Sequence, residues 1–158
     1  MAGRITKSNE QLRPDPRYGS KVLARFINSV MRDGKKTVAE RVVYAALDEI
    51  EKRTEGKPPA IEVFDKAIDN IKPGVEVRSK RVGGQNYQVP MSVNRRRQQS
   101  LAFRWIITAA RGERGKPMYR CLARELYEAS QGEGKAMTTR ENVHRMADAN
   151  KAFAHFAW

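Results

Sequence analysis

The chain has 158 residues, enough for one domain around one hydrophobic core, and its 31 Lys and Arg against 18 Asp and Glu give a formal net charge of +13. So one-sided a balance exceeds what solubility requires and points to a polyanionic partner, either nucleic acid or an acidic membrane face. No run of about 18 apolar residues exists to span a bilayer, and the opening MAGRITKSNE lacks the apolar core of a signal peptide. A single cysteine, Cys121, cannot close an internal disulfide, which fits a reducing cytoplasm. One Cys and two His also leave zinc without its usual ligands, so neither a metal nor another cofactor is expected.

The charge is blocked along the chain. Residues 1–37 carry nine cations and three acids, 38–77 six and nine, 78–116 ten and one, and 117–158 six and five. Two positive blocks separated by an acidic one describe a binding surface.

In chain order, residues 1–19 show no apolar periodicity and close in RPDPRYGS, which predicts an extended, mobile, basic arm. Residues 20–158 then read as one helical domain. Ser20 is a good N-cap for KVLARFINSVMRDG, where Val22, Leu23, Phe26, Ile27, Val30 and Met31 recur at helical spacing and Gly34 supplies a stop. Thr37-Val-Ala-Glu40 matches a capping box for a second helix with an acidic outer side, ending near Gly56. Pro58 and Pro59 open a third, with Ile61, Phe64, Ala67, Ile68 and Ile71 inward, until Pro73-Gly74.

Residues 75–90, VEVRSKRVGGQNYQVP, read as a two-stranded ribbon. Placing Val75, Val77, Tyr87 and Val89 on one face requires Val77 opposite Val89 and a three-residue loop, Val82-Gly83-Gly84. The opposite face then carries Arg78, Lys80, Asn86 and Gln88, and the polar tip projects outward. A charged hairpin kept only to prevent edge aggregation is the plainer reading. Asn94 caps a fourth helix, RRRQQSLAFRWIITAAR; a fifth opens at Pro117 with Cys121 in its core face, and Thr138-Thr-Arg-Glu141 begins a sixth. The expected fold is mainly α: six helices with one protruding β-hairpin between the third and fourth.

On the fourth helix Arg97, Arg104 and Arg111 fall within about 40° of one another, and the rest of the circumference is largely apolar. A buried helix with a few solvent positions could show such a row, but this helix contains no Asp or Glu to pair with it. Lys21, Arg25, Asn28 and Arg32 repeat the pattern on the first helix, and Lys35 and Lys36 extend it. Arg95, Arg96 and Arg97 stand at a helix N-terminus against the macrodipole, a choice that external phosphate would reward. Catalysis finds no support. His144 and Asp148 are i, i+4 with no nucleophile beside them, and His144 reads as a surface or RNA-facing residue.

The stretches PDPRYGS, FINSVMRDGKKTVAERVVYAALD, VEVRSKRVGGQNYQVP, LAFRWIITAAR and ENVHRMADANKAFAHFAW resemble the bacterial small-subunit ribosomal protein seven family, in order and over nearly the whole chain. The resemblance implies six helices plus a β-ribbon, and a structural, non-enzymatic protein. It implies binding to the 3′ major domain of small-subunit ribosomal RNA, nucleation of head assembly, and a place near the exit-site tRNA and messenger, beside ribosomal proteins nine and eleven. No membrane or small-molecule substrate enters. By the resemblance, RNA contacts fall on Lys21, Arg25, Arg32, Lys35 and Lys36, and on Arg78, Lys80, Arg81, Gly83 and Gly84 of the ribbon. They continue on Arg95, Arg96, Arg97, Arg104 and Arg111, and on Arg114 and Lys116 beyond the fourth helix. Gly83, Gly84, Gln85, Arg140, His144 and Arg145 would lie near tRNA or messenger. The rival reading is an architectural DNA-binding protein using the ribbon as a groove arm, for which the glycine tip lacks an apolar wedge.

Overall fold

The computed structural model describes residues 11–157. Among them are six α-helices, one antiparallel ribbon and a terminal 3₁₀ helix: α1 Lys21–Val30, α2 Lys36–Arg53, α3 Ala60–Ile71, β1 Val75–Val82, β2 Gln85–Ser92, α4 Arg95–Gly112, α5 Met118–Gln131, α6 Lys135–Ala149 and 3₁₀ Lys151–Phe156. The mainly α fold with its hairpin between α3 and α4 is as the sequence predicts.

Burial of the periodic apolar faces holds the helices together. The fully buried Leu23, Phe26 and Ile27 of α1 each contribute roughly 1.5–3 kcal/mol relative to exposure. Phe26 meets Phe64 of α3 and Phe103 of α4 edge-on, with centroids 5.3 and 5.2 Å away, so one ring joins three helices. α5 runs through the centre, packed by α2, α3, α4 and α6, with Cys121, Leu122, Leu126 and Ala129 buried as its spacing predicts. Asn70 of α3 donates to the carbonyls of Ala129 and Ser130, closing the end of α5 before the left-handed Gly132.

Helix ends follow the sequence where a side chain can cap locally. Ser20 Oγ accepts from the Leu23 amide at 3.2 Å, and Asn94 Oδ1 from the Arg97 amide at 2.9 Å. Elsewhere tertiary partners decide. α1 stops at Val30, short of Gly34, because Met31 turns extended and the Arg111 guanidinium takes the Val30 carbonyl at 3.0 Å. Asp33 and Gly34 instead form a left-handed turn. α2 starts at Lys36 with no side-chain cap, so Thr37 lies inside its first turn. α6 starts at Lys135, and the Thr138 and Thr139 hydroxyls bond back to the carbonyls of Gly134 and Lys135. The cap there comes from α5: buried Glu125 accepts the Ala136 amide at 2.6 Å.

The ribbon register corrects the sequence expectation by one residue. Val77 faces Pro90, Arg78 faces Val89, Lys80 faces Tyr87 and Val82 faces Gln85, leaving the two-residue turn Gly83-Gly84. Both glycines have positive φ, 57° and 87°, as a type I′ turn demands, and its twist matches that of the strands. A slip of one residue exchanges faces. Glu76, Arg78, Lys80, Tyr87, Val89 and Met91 therefore share the face on which Glu76 and Val89 are buried, while Val75 and Val77 lie with Pro90 on the other. Turn chemistry overrode the apolar parity.

Residues 1–10 of the expected arm lie outside the described residues. Asp15, in the arm's second half, is buried: its carboxylate accepts the amides of Arg17 and Tyr18 and the Tyr44 hydroxyl, the last at 2.6 Å. Arg17 lies over the rings of Tyr18 and Tyr44 and pairs with Asp48, fastening this turn to α2.

Candidate nucleic-acid interface

α1 and α4 pack side by side and enclose a groove of about 370 Å³ lined by Arg25, Asn28, Ser29, Arg96, Gln99, Ser100 and Phe103, with Leu12 at its edge. The Arg25 guanidinium donates to the Gln99 side chain across it. Lys21, Arg95, Arg96 and Arg104 are exposed around this pair of helices. Among the described residues these four make no ion pair, so their charge is available to a partner.

A second groove, of about 320 Å³, lies where α1 hands over to α2. Val30, Val38, Ala39, Val42 and Met118 form its apolar floor, and Arg32, Lys35 and Arg111 stand at its rim with Asp33. Burial lowers the Arg111 pKa, and the like charge of Arg32 lowers it further. Two guanidinium groups held together this way gain from an anion between them. Arg32 lies beyond the end of α1, so it belongs to this turn and not to the helical row the sequence implies. Lys35 and Lys36 are exposed beside it, Lys36 with its ammonium 3.9 Å from Glu40.

The Arg97/Arg104/Arg111 row proves to be three residues with three surroundings. Arg97 Nε donates to Glu76 at 3.1 Å, Arg104 projects into solvent, and Arg111 closes the end of α1. Absence of acids within α4 did not mean absence of partners, because Glu76 comes from β1. Only 8% exposed, Glu76 lies between Arg97 and Arg78, with which it also pairs. No periodicity marks it as special; its place on the buried ribbon face follows from the register alone.

On the ribbon the expected outward pair, Arg78 and Lys80, turns out to share the inner face. Lys80 donates to the Phe156 carbonyl at 2.9 Å. The exposed cation of the outer face is Arg81, next to the exposed tip Gly83, Gly84, Gln85 and Asn86. His144 is likewise a structural contact, its Nε2 accepting the Gly74 amide at 3.3 Å and tying α6 to the entry of β1. Arg145 is exposed; Arg140 is half-buried, and its Nε has no hydrogen-bond partner among the described residues. Arg114 and Lys116 are exposed in the α4–α5 turn. Just before them, burial opposes the charge of Glu113, but Arg124, Lys135 and Lys116 outweigh it and hold its carboxyl below the ordinary range.

A helical core that presents two cation-rimmed grooves and a ribbon with an exposed polar tip defines a small basic protein of the polyanion-binding class. The family described as Ribosomal protein S7p/S5e matches residues 2–151. The small ribosomal subunit protein uS7 of Rhodopirellula baltica is 62% identical over 156 residues, covering 99% of each chain. Those of Rhodopseudomonas palustris and Afipia carboxidovorans are 51% and 49% identical over the full length of both chains. The chain belongs to the ribosomal protein S7p/S5e family, and is a structural protein of the small ribosomal subunit.

Proposed function

We propose that the protein binds the 3′ major domain of small-subunit ribosomal RNA and nucleates assembly of the subunit head, acting by binding and not by turnover. It works in the cytoplasm as part of the ribosome, with exit-site tRNA, messenger and ribosomal proteins nine and eleven as neighbours. Family membership supports the choice of RNA, and the observation that carries the mechanism is the group of exposed cations around α1 and α4, of which Lys21, Arg95, Arg96 and Arg104 make no ion pair among the described residues. Lys21, Arg25, Arg95, Arg96 and Arg104 line or flank one groove; Arg32, Lys35, Lys36 and Arg111 line or flank the other. Arg114 and Lys116 extend this cationic surface, and Arg78, Arg81 and the Gly83-Gly84 tip extend it along the ribbon. Counterion release from phosphates supplies affinity, and the fit of two grooves and a ribbon to folded RNA supplies specificity through shape. Arg140, Arg145 and Gln85 lie toward tRNA or messenger in this reading.

Nuclease footprinting on small-subunit ribosomal RNA, with duplex DNA as competitor, tests it. If roughly 6–10 phosphates are contacted, affinity should fall about 10³- to 10⁵-fold between about 50 and 200 mM salt. A flat salt response, or duplex DNA competing as well as the structured RNA, would overturn the proposal.

A further inference from the structure

A two-stranded ribbon is marginal by itself and needs a third surface. Here the outer half of the ribbon finds that surface at the very end of the described chain. The Tyr87 ring packs against Phe153 and Phe156 of the 3₁₀ helix, with centroids 5.1 and 5.2 Å away, and the two Phe rings lie 6.4 Å apart, nearly parallel. Lys80, directly opposite Tyr87, donates to the Phe156 carbonyl, adding a cation and a donor at the end of the 3₁₀ helix beside His155 in its last turn. Apart from the ribbon, the 3₁₀ helix packs against α6, and none of its residues is buried. None of its residues belongs to the buried helical core, and it packs chiefly on the ribbon. The tip beyond, Arg81 to Asn86, extends past the last of these contacts.

We propose that Tyr87, Phe153 and Phe156 are positioning residues, forming a strap that sets where the ribbon tip stands when it meets RNA. The inference rests on the reading that the tip is an RNA-facing element. The strap acts locally: the core of α2, α3 and α5 is complete without it, so its loss frees the ribbon and leaves the domain folded. Coupling is reciprocal, so RNA that fixes the tip also fixes the tail.

The experiment uses the full chain and its Phe153→Ala/Phe156→Ala and Phe156→Tyr variants. Amide hydrogen exchange is read separately for Lys80–Tyr87 and for α3 and α5, and ribosomal RNA footprints are read with each protein. Two lost aromatic contacts should speed ribbon exchange roughly tenfold, leaving α3 and α5 unchanged. RNA protection arising from the tip should disappear while that from the α1–α4 groove persists, and Phe156→Tyr, which keeps the ring, should restore both. Unchanged ribbon exchange in the double variant overturns the strap. Faster exchange with an intact tip footprint overturns its positioning role. If the unaltered protein gives no footprint at all, the RNA reading fails, and the exchange data still decide whether the strap exists.

Discussion

Replacing Glu76 by Gln removes one negative charge from the junction between ribbon and helical body while keeping side-chain size. The carboxylate is 8% exposed and receives Arg97 from α4 at 3.1 Å, together with Arg78 from its own strand. Breaking a fully buried pair costs about 3–5 kcal/mol, whereas an exposed pair contributes about 0–1. Glu76 sits at the buried limit, but the side chains of Arg97 and Arg78 are 37% and 48% exposed and can rehydrate. The loss should therefore fall between these limits, at roughly 1–2 kcal/mol. For a chain of this length that lowers Tm by about 2–8 °C. Thermal unfolding followed by far-UV circular dichroism measures it, and a double-mutant cycle with Arg97→Met assigns it. If the Arg97 contact carries the effect, the two substitutions should be non-additive by about 1 kcal/mol. An unchanged Tm, or strict additivity, would refute the account of Glu76 as the anion that ties the ribbon to α4.

Tyr44→Phe deletes the 2.6 Å bond to buried Asp15 and should cost about 1–3 kcal/mol in urea unfolding, because the carboxylate loses a donor that water cannot easily replace. Burial raises the Glu125 pKa, opposed by the Ala136 amide, while Glu128 and Glu113 raise it further and Lys135 lowers it. Its stabilising contribution is thus full below the unfolded carboxylate value and is lost as pH rises through the higher folded one. Glu125→Gln should accordingly flatten the decline of Tm with pH just above the ordinary carboxylate range; an identical pH profile would contradict this. Arg104→Ala should weaken ribosomal RNA binding and reduce the salt slope by roughly 0.9 with Tm nearly unchanged, since the side chain is exposed and makes no ion pair among the described residues.

Elements defined by apolar period were legible in the sequence, because a stripe such as Leu23, Phe26 and Ile27 can be buried in only one way. Caps at Ser20 and Asn94 were legible too, since donor and acceptor are three residues apart. Capping boxes at Thr37 and Thr138 misled: α2 starts at Lys36 with no side-chain cap, and the head of α6 is capped by the distant Glu125. The ribbon misled more instructively. Apolar parity assumed that Glu76 and Lys80 could not face inward. They do so because Arg97 and the Phe156 carbonyl, neither adjacent in sequence, satisfy them. Two glycines at the tip favoured the type I′ turn locally, and the rest of the register follows.

The same partition explains why a charge count places an interface only coarsely. Helical geometry gives Arg97, Arg104 and Arg111 one row, yet the fold assigns Arg97 to a carboxylate and Arg111 to a carbonyl, leaving Arg104 to solvent. Arg17, Arg78 and Arg124 are likewise matched by Asp48, Glu76 and Glu113. On α1, α4 and the outer ribbon face, Lys21, Arg81, Arg95, Arg96 and Arg104 have no acidic partner among the described residues and lie in the two net-positive stretches of the chain, whereas Arg41, Lys52, Arg53 and Lys66 lie in the net-acidic stretch 38–77. A polyanion feels unneutralised charge at short range more than the total, because a Debye length of about 8 Å at physiological salt screens the rest. Binding energy should therefore concentrate on the α1–α4 side, and the arginines already engaged within the fold should act on RNA chiefly by holding those two helices and the ribbon in register.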